Sequence, residues 1–214
     1  MTRKPVVTID GPAGAGKSTV AREVARRLGL RFLDTGSMYR AFTWKAMQGA
    51  ADLRDPASLV AMIRASKLEL QGERILLDGR DVAREIRGDE VTQNAEWLAD
   101  PPEVRAELVR LQQQFGRDGG LVTEGRDQGT VVFPDAQFKF YLDASVDVRA
   151  GRRHGEAGGD FEAVRRLIAE RDERDRGRPV GALKVPDGAV RIDTSDMTVE
   201  QVVARLVAAV ESSC

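Results

Sequence analysis

Short apolar runs alternate along this chain with longer segments in which apolar residues recur every three to four positions. Residues 6–9 form a β-branched run that ends at Asp10, after which Val20, Val24 and Leu28 recur with helical spacing. This pattern predicts a strand, a loop and a helix. Further strand-like runs occupy residues 31–33, 121–123, 138–142 and 190–192. Because the intervening segments can hold crossover helices, we predict an α/β fold with a central parallel sheet and helices on both faces.

The C-terminal segment carries a helix-start signal. Thr198 is followed three residues later by Gln201, which is a capping-box pattern. We expect the helix that follows to bury one apolar face. That face consists of Val199, Val202, Val203, Leu206 and Val210.

Two segments interrupt the alternation of strands and helices. The stretch between the second and third predicted strands is far longer than one crossover, and it contains a helix opening at Asp55, alternating runs at residues 67–70 and 74–78, and a helix over residues 102–115. We predict that residues 36–118 are an insertion in a single domain spanning residues 1–214. Residues 151–160 join basic residues to glycines and predict a mobile loop, part of a lid over residues 150–180.

Composition and charge narrow the function classes. The chain has 214 residues, 42% of them hydrophobic and 31% charged, which is typical of a folded globular protein. Its 33 basic and 34 acidic side chains give a net charge of −1, so attraction to a polyanion would need a local basic patch. We therefore expect small-molecule partners, no nucleic acid, no membrane and a monomeric protein.

The numbers of cysteines and histidines exclude disulfide bonds within the chain and metal sites built from several of these residues. Cys214 is the one cysteine, so an intrachain disulfide and a thiolate cluster are excluded, and we expect an exposed thiol. His154 is the one histidine, which excludes a multi-histidine metal site, and we expect it to be solvated or to make a weak phosphate contact rather than to act as a catalytic acid. The chain shows neither a signal-peptide core nor a long apolar run, which predicts a cytoplasmic protein.

A glycine-rich string between the first predicted strand and helix matches the phosphate-binding P-loop pattern. The string is Gly11, Pro12, Ala13, Gly14, Ala15, Gly16, Lys17 and Ser18, and Thr19 follows it. Small residues let backbone N–H groups surround phosphate oxygens, and the helix N-terminus adds partial positive charge. Lys17 would contact the β- and γ-phosphates, and Ser18 would bind Mg²⁺. The base-reading string of GTP switches and the signature of transport ATPases are absent, so a small-molecule kinase is favoured.

Two polar segments follow predicted strands, where ligand-binding residues of parallel sheets collect. In residues 34–40, Tyr39 could face a base or ribose and Arg40 a phosphate. In residues 124–129, Glu124 would lie near Mg²⁺ and Arg126 near phosphate. Each pattern alone is also what a core tyrosine with a solvated arginine, or a polar turn, would give.

The helix predicted over residues 161–176 changes character along one face. At helical spacing the face reads Val164, Leu167, Ile168, then Arg171, Asp175 and Arg178. A face that turns from apolar to charged is expected to leave the core and line a cleft. There Asp175 would accept a hydrogen bond from a sugar hydroxyl or orient Arg171, and Arg174 would face the phosphoryl group that is transferred. The alternative is a solvated helix end with ion pairs between successive turns.

Four strings, in order and spacing, resemble the bacterial cytidylate kinases. They are DGPAGAGKS at residues 10–18, DTGSMYR at 34–40, EGRDQGTVVFP at 124–134 and ERDERDRGR at 170–178. The resemblance spans essentially the whole chain. It implies the fold of P-loop nucleoside monophosphate kinases, with a monophosphate-binding insertion and a lid. It also implies phosphoryl transfer from ATP to CMP or dCMP with Mg²⁺.

The resemblance also implies residue roles. ATP would bind residues 11–19, with Mg²⁺ at Ser18 and Glu124. The acceptor would be bound by Thr35, by Tyr39, Arg40, Arg126 and Arg178 at the phosphate, by Arg105 and Asp127 at cytosine, and by Arg171 and Asp175 at the sugar. Catalytic groups would be Lys17, Arg126, Arg153 and Arg174.

This sequence departs from the family pattern at Glu96, where a serine is common, and has Glu124 where aspartate is also seen. Alternatives remain a kinase of UMP, AMP or a small metabolite, and a nucleotide-switched binding protein without catalysis. Nucleic-acid binding through residues 171–178 is disfavoured because acidic residues interleave the basic ones.

Overall fold

The computed structural model describes residues 4–71 and 74–212; the predicted exposed thiol of Cys214 lies outside them. The strands are β1 (Lys4–Asp10), β2 (Arg31–Asp34), β3 (Leu68–Gln71), β4 (Arg74–Leu77), β5 (Arg80–Asp81), β6 (Gly119–Gly125), β7 (Phe138–Asp143) and β8 (Val190–Asp193). The α-helices are α1 (Lys17–Leu28), α2 (Thr35–Lys45), α3 (Pro56–Ala65), α4 (Asp89–Asn94), α5 (Glu96–Ala99), α6 (Pro102–Gly116), α7 (Val146–Ala157), α8 (Phe161–Gly177) and α9 (Val199–Glu211). Short helical turns occupy Ala46–Ala50, Glu85–Arg87 and Gln128–Val132.

The main sheet has five strands in the order β2-β6-β1-β7-β8. Strand β1 pairs in parallel with β6 and β7, and β7 pairs in parallel with β8. In β1, Val7, Thr8, Ile9 and Asp10 are all fully buried, as expected for a parallel strand covered on both faces. The predicted α/β fold and its five strands are confirmed.

The chain divides into two compact units. One contains residues up to Phe32 together with residues from Gly116 onward, and the other is Leu33–Phe115. In the first unit an apolar cluster that includes Val7, Val24 and Leu206 joins the sheet to α1 and α9. The second unit overlaps most of the predicted insertion, and its core cluster includes Met38, Phe42, Leu59, Leu98 and Leu108. Its strands β3, β4 and β5 form an antiparallel sheet.

Helix α9 confirms the capping box, because the Thr198 hydroxyl accepts the Gln201 N–H and the Gln201 side chain accepts the Thr198 N–H. The predicted apolar face is buried at Val202, Val203, Leu206 and Val210. The prediction is wrong for Val199, which begins the helix and is 47% exposed.

The predicted loop over residues 151–160 is wrong for most of its length, because α7 continues to Ala157. The Ser145 hydroxyl caps this helix by accepting the Val148 N–H, and the helix is followed by its C-cap residue Gly158, whose φ is 70°. Gly151 and Gly155 are helical and exposed, so they weaken the helix without interrupting it.

The face of α8 also differs from the prediction. Leu167 is 65% exposed, whereas Ile168, Asp172 and Asp175 are buried. The burial of Ile168 and Asp175 agrees with the predicted face, but the prediction is wrong for Leu167. Asp172, which was not assigned to that face, takes an inward position because Arg149 pairs with it. Among the described residues, no helix has the length and apolar character needed to cross a membrane.

Candidate active site

The phosphate-binding loop connects β1 to α1 and depends on its glycines. At Gly11 φ is 149°, and a Cβ there would lie 2.0 Å from the Leu142 carbonyl oxygen. Gly14 and Gly16 also have positive φ, at 79° and 83°. These conformations turn the backbone tightly before the N-terminus of α1, as an anion-binding loop requires.

Lys17, the first residue of α1, is 5% exposed, and its Nζ donates to the Pro12 carbonyl at 2.7 Å. Burial, and to a lesser extent the Arg126 guanidinium, lower the pKa of Lys17 to about 7, although Glu124 opposes the shift. An anion bound in the loop would favour the charged ammonium form. The side chain is therefore placed to respond to a phosphate.

Ser18 and Glu124 meet although they are distant in sequence. The Ser18 hydroxyl donates to Glu124 Oε1 at 2.8 Å, and Glu124 lies buried near the end of β6. Hydroxyl and carboxylate oxygens are ligands that Mg²⁺ accepts together with phosphate oxygens and water. No group of three or more histidine, cysteine, aspartate or glutamate side chains that could hold a metal ion occurs within the described ranges. The two residues fit the predicted Mg²⁺ role.

Asp10 is a site residue for which the sequence reasoning gave no role. Its two carboxylate oxygens accept the N–H groups of Gln128 and Gly129, each at 2.8 Å. Burial raises the pKa of Asp10 to about 7, although these hydrogen bonds act in the opposite direction. Asp10 thereby fixes the turn that follows Arg126 and the buried Asp127. The signal for it was its position directly before the glycine-rich string.

A cluster of predicted residues forms around Asp175 on α8. Arg126 Nε donates to Asp175 Oδ2 at 2.6 Å, and Arg178 Nη1 lies 2.9 Å from Asp175 Oδ1. Burial by itself would raise the pKa of Asp175, but Arg126, Arg178 and, more weakly, Arg171 outweigh it and hold the pKa below its usual value. The cluster presents guanidinium groups oriented by a buried carboxylate, a suitable arrangement for an oxyanion.

The predicted lid arginine lies on a helix. Arg153 on α7 is exposed and pairs with Glu156 at 3.2 Å, whereas its neighbour Arg152 donates to the Thr194 hydroxyl at 3.1 Å. His154 Nε2 lies 3.0 Å from the Gly159 carbonyl oxygen. Arg153 therefore lies on the surface of helix α7 and not in a loop.

The second unit brings together another set of predicted residues. Asp34 caps α2 by accepting the Ser37 N–H and hydroxyl, both at 2.8 Å, and Arg40 Nη2 donates to the Ser37 hydroxyl at 2.7 Å. The Arg105 guanidinium carbon lies 5.9 Å from the centre of the Tyr39 ring. Arg105 is 3% exposed although it is charged. Such an ordered set of polar groups is typical of a binding surface.

Comparison with known proteins adds the family. A family model described as cytidylate kinase matches residues 7–212. The chain belongs to the cytidylate kinase family. A cytidylate kinase from Caldanaerobacter subterraneus subsp. tengcongensis is 45% identical over 212 residues, covering 97% of this chain and 95% of the relative. A cytidylate kinase from Rhodopirellula baltica is 46% identical over 202 residues, covering 92% of this chain and 88% of the relative.

Among solved structures, a shikimate kinase from Bacteroides thetaiotaomicron is similar, with a TM-score of 0.51 and 14% identity over 97% of this chain and 98% of that chain. At this identity the similarity concerns the fold alone, and it agrees with the P-loop kinase architecture.

In this member of the cytidylate kinase family, the predicted residues fall into two groups. The first unit holds the phosphate-binding loop with Thr19, and also Glu124, Arg126, Asp127, Arg153, Arg171, Arg174, Asp175 and Arg178. The second unit holds Thr35, Tyr39, Arg40 and Arg105. Glu96, at the departure from the family pattern, begins α5 and is partly buried.

Proposed function

We propose that this protein transfers the γ-phosphoryl group of ATP to CMP or dCMP, giving ADP and CDP or dCDP. The observation that carries the proposal is the buried Lys17 in a glycine-rich loop, next to Glu124 and to the guanidinium of Arg126. Membership of the cytidylate kinase family supports the choice of acceptor.

On the donor side, residues 11–19 bind the phosphates of ATP through backbone N–H groups and the Lys17 ammonium. Ser18 and Glu124 would hold Mg²⁺, which would supply positive charge against the phosphate oxygens. The contact between the Ser18 hydroxyl and Glu124 Oε1, at 2.8 Å, supports this pairing.

On the acceptor side, the residues assigned to the monophosphate are Tyr39, Arg40, Arg126 and Arg178. The guanidinium groups of the three arginines suit this role because each planar fork of N–H donors matches phosphate oxygens. Thr35 also belongs to the acceptor-binding set.

The nucleoside is bound by a further set of residues. Arg105 and Asp127 read cytosine, and Arg171 and Asp175 bind the sugar. Supporting observations are the burial of Arg105 and Asp127 and the carboxylate of Asp175 beside Arg126.

Charge neutralisation accounts for the chemistry. The second ionisation of a phosphate monoester lies near pH 6, so at neutral pH the acceptor oxygen is already an anion and requires no general base. The protein has to align two anions and stabilise the charge on the equatorial oxygens of the transferring group. Lys17, Arg126, Arg153 and Arg174 supply positive charge for this step.

We also propose that the protein acts as a cytoplasmic monomer.

A coupled ADP-release assay tests the function. Purified protein is given ATP, Mg²⁺ and, in turn, CMP, dCMP, UMP and AMP, with Lys17→Ala as a control whose fold is checked by circular dichroism. We expect rapid ADP formation with CMP or dCMP, slow ATP hydrolysis without acceptor, and a loss of several orders of magnitude in Lys17→Ala. Faster ADP formation with UMP or AMP would show that the acceptor is that nucleotide and not CMP or dCMP. ATP binding without ADP formation would identify a nucleotide-switched binding protein instead.

A further inference from the structure

Arg149 joins three parts of the first unit through one side chain. It lies on α7 and is 2% exposed, among the largest fully buried side chains of the described residues. Its Nε donates to the Ala144 carbonyl at 2.9 Å, its Nη1 to the Ala13 carbonyl at 3.1 Å and its Nη2 to Asp172 Oδ2 at 2.7 Å. The guanidinium group therefore connects the start of α7, the phosphate-binding loop and α8.

The loop also packs directly on Arg149. Ala13 and Gly14 are interior residues of the phosphate-binding loop, and a Cβ added at Gly14 would lie 3.0 Å from the Arg149 Cβ. The Ala13 carbonyl accepts a hydrogen bond from a charged donor, which is stronger than one from a neutral group. The backbone at this point of the loop thus depends on where Arg149 is held.

The α8 end of the connection depends equally on this pair. Asp172 is 1% exposed, its Oδ1 has no hydrogen-bond partner, and Arg176 reaches its Oδ2 at 3.8 Å. A buried carboxylate with one close cation loses most of its charge compensation when that cation is removed. Asp172 lies next to Arg171 and one helical turn before Asp175, which holds Arg126 and Arg178. A shift of Asp172 would therefore move the charged face of α8.

We propose that Arg149 and Asp172 are positioning residues that couple nucleotide binding in the phosphate-binding loop to the charged face of α8. The coupling rests on the proposed function, because it aligns the donor phosphates with arginines assigned to the acceptor and the transferring group. Neither residue contacts a reacting atom in this role. Nucleotide in the loop stabilises α8, and by reciprocity the state of α8 alters nucleotide affinity.

Asp172→Asn tests the coupling, with Asp147→Asn as a matched control. Asp147 also belongs to an ion pair between α7 and α8, since Arg165 Nε lies 2.6 Å from Asp147 Oδ1, but the Arg165 and Asp147 side chains are 43% and 67% exposed. Hydrogen exchange of the intact proteins is measured with and without Mg²⁺ and adenylyl imidodiphosphate, a non-hydrolysable ATP analogue. We expect the analogue to slow exchange of the α8 amides in the unmodified protein and in Asp147→Asn, and to have little effect in Asp172→Asn.

Arg149→Lys provides a second variant that keeps the charge. A lysine ammonium cannot reproduce the geometry in which one planar group bonds two carbonyls and a carboxylate. We expect Arg149→Lys to lose the α8 protection as well and to lower kcat by about tenfold or more, the usual scale for a charge-assisted hydrogen bond. The affinity for CMP measured without ATP should change much less.

The outcomes separate the coupling from the function. If the unmodified protein makes no CDP, the proposed function is wrong, yet the exchange comparison still applies because it uses no acceptor. Full α8 protection in a folded Asp172→Asn protein, or equal loss in Asp147→Asn, would overturn the coupling. Unfolding of both Asp172→Asn and Arg149→Lys at the assay temperature would mark the pair as purely structural and would also overturn it.

Discussion

Replacing Asp175 by asparagine removes the negative charge that the Arg126 and Arg178 guanidinium groups share. Asp175 is 2% exposed, and the arginine side chains are 18% and 12% exposed, so solvent screens these interactions weakly. Each charge-assisted hydrogen bond contributes about 1.5–3 kcal/mol. Because the amide oxygen of asparagine can still accept one weaker bond, we expect Asp175→Asn to lower the free energy of unfolding by about 2–4 kcal/mol.

Urea unfolding of the nucleotide-free protein at pH 7 measures this loss. Glu156→Gln is the control, because Glu156 and Arg153 form an exposed pair at 3.2 Å whose loss should change stability by less than about 0.5 kcal/mol. A change of that size in Asp175→Asn would show that the cluster around Asp175 contributes no stability.

Acidic pH gives an independent check on the same variant. The arginines hold the pKa of Asp175 below its usual value, so its stabilising effect is complete above the unfolded-state pKa and is lost as pH falls through the folded-state pKa. The stability difference between the two proteins should therefore be full at pH 7 and shrink below about pH 4. A difference that stays constant at acidic pH would contradict a charge-based origin.

Three further predictions concern the phosphate-binding loop and the proposed metal site beside it. Gly11→Ala places a Cβ 2.0 Å from the Leu142 carbonyl oxygen and should lower the free energy of unfolding, measured in urea, by about 3 kcal/mol or more. The control Gly151→Ala lies on an open helical surface and should raise the free energy of unfolding by about 0.5–1 kcal/mol. Similar effects of the two substitutions would contradict the steric argument. Glu124→Gln should raise the Mg²⁺ concentration for half-maximal rate by about tenfold in a magnesium titration, and an unchanged titration would remove it from the metal site. Burial lowers the pKa of Lys17 to about 7, and bound phosphates raise it, so ATP binding above pH 7 should take up a proton. The affinity for ATP should then fall by up to about tenfold for each unit by which the pH rises above 7. Calorimetry in buffers of different ionisation heat measures the proton uptake, and an affinity that does not depend on pH would refute the prediction.

The main sheet was predictable because local sequence and long-range packing agree there. The run at residues 6–9 is apolar and β-branched, and the structure buries it as the central strand. The capping box at Thr198 is likewise a local signal, since its partners lie three residues apart. Such features are readable from a single chain.

The region after residue 150 was harder to predict because tertiary contacts override local signals. Glycines at 151 and 155 favour a loop, but the segment remains helical between a good N-cap and Gly158. On α8, helical spacing extended from Val164 places Leu167 on the inward face and leaves Asp172 off it, whereas the structure exposes Leu167 and buries Asp172. The inward position of Asp172 can be predicted only if its partner Arg149 is known, because a carboxylate is buried where a cation compensates its charge.

The candidate site divides in the same way. The phosphate-binding loop is a contiguous motif, so its residues and their chemistry follow from the sequence. The pairing of Arg126 with Asp175, and that of Arg149 with Asp172, joins residues far apart in the chain, and no spacing rule predicts them. A single arginine in an amphipathic helix gives no sign that it will be buried.

The place of β1 in the sheet also has a consequence for synthesis on the ribosome. Val7 pairs with Val122 on one side and with Phe138 on the other, so its neighbours are translated long after it. The second unit, by contrast, is one continuous stretch with its own apolar cluster and can assemble as it emerges. During most of translation the nascent chain therefore carries a strongly apolar segment without ladder partners, at the stage when chaperone protection matters most.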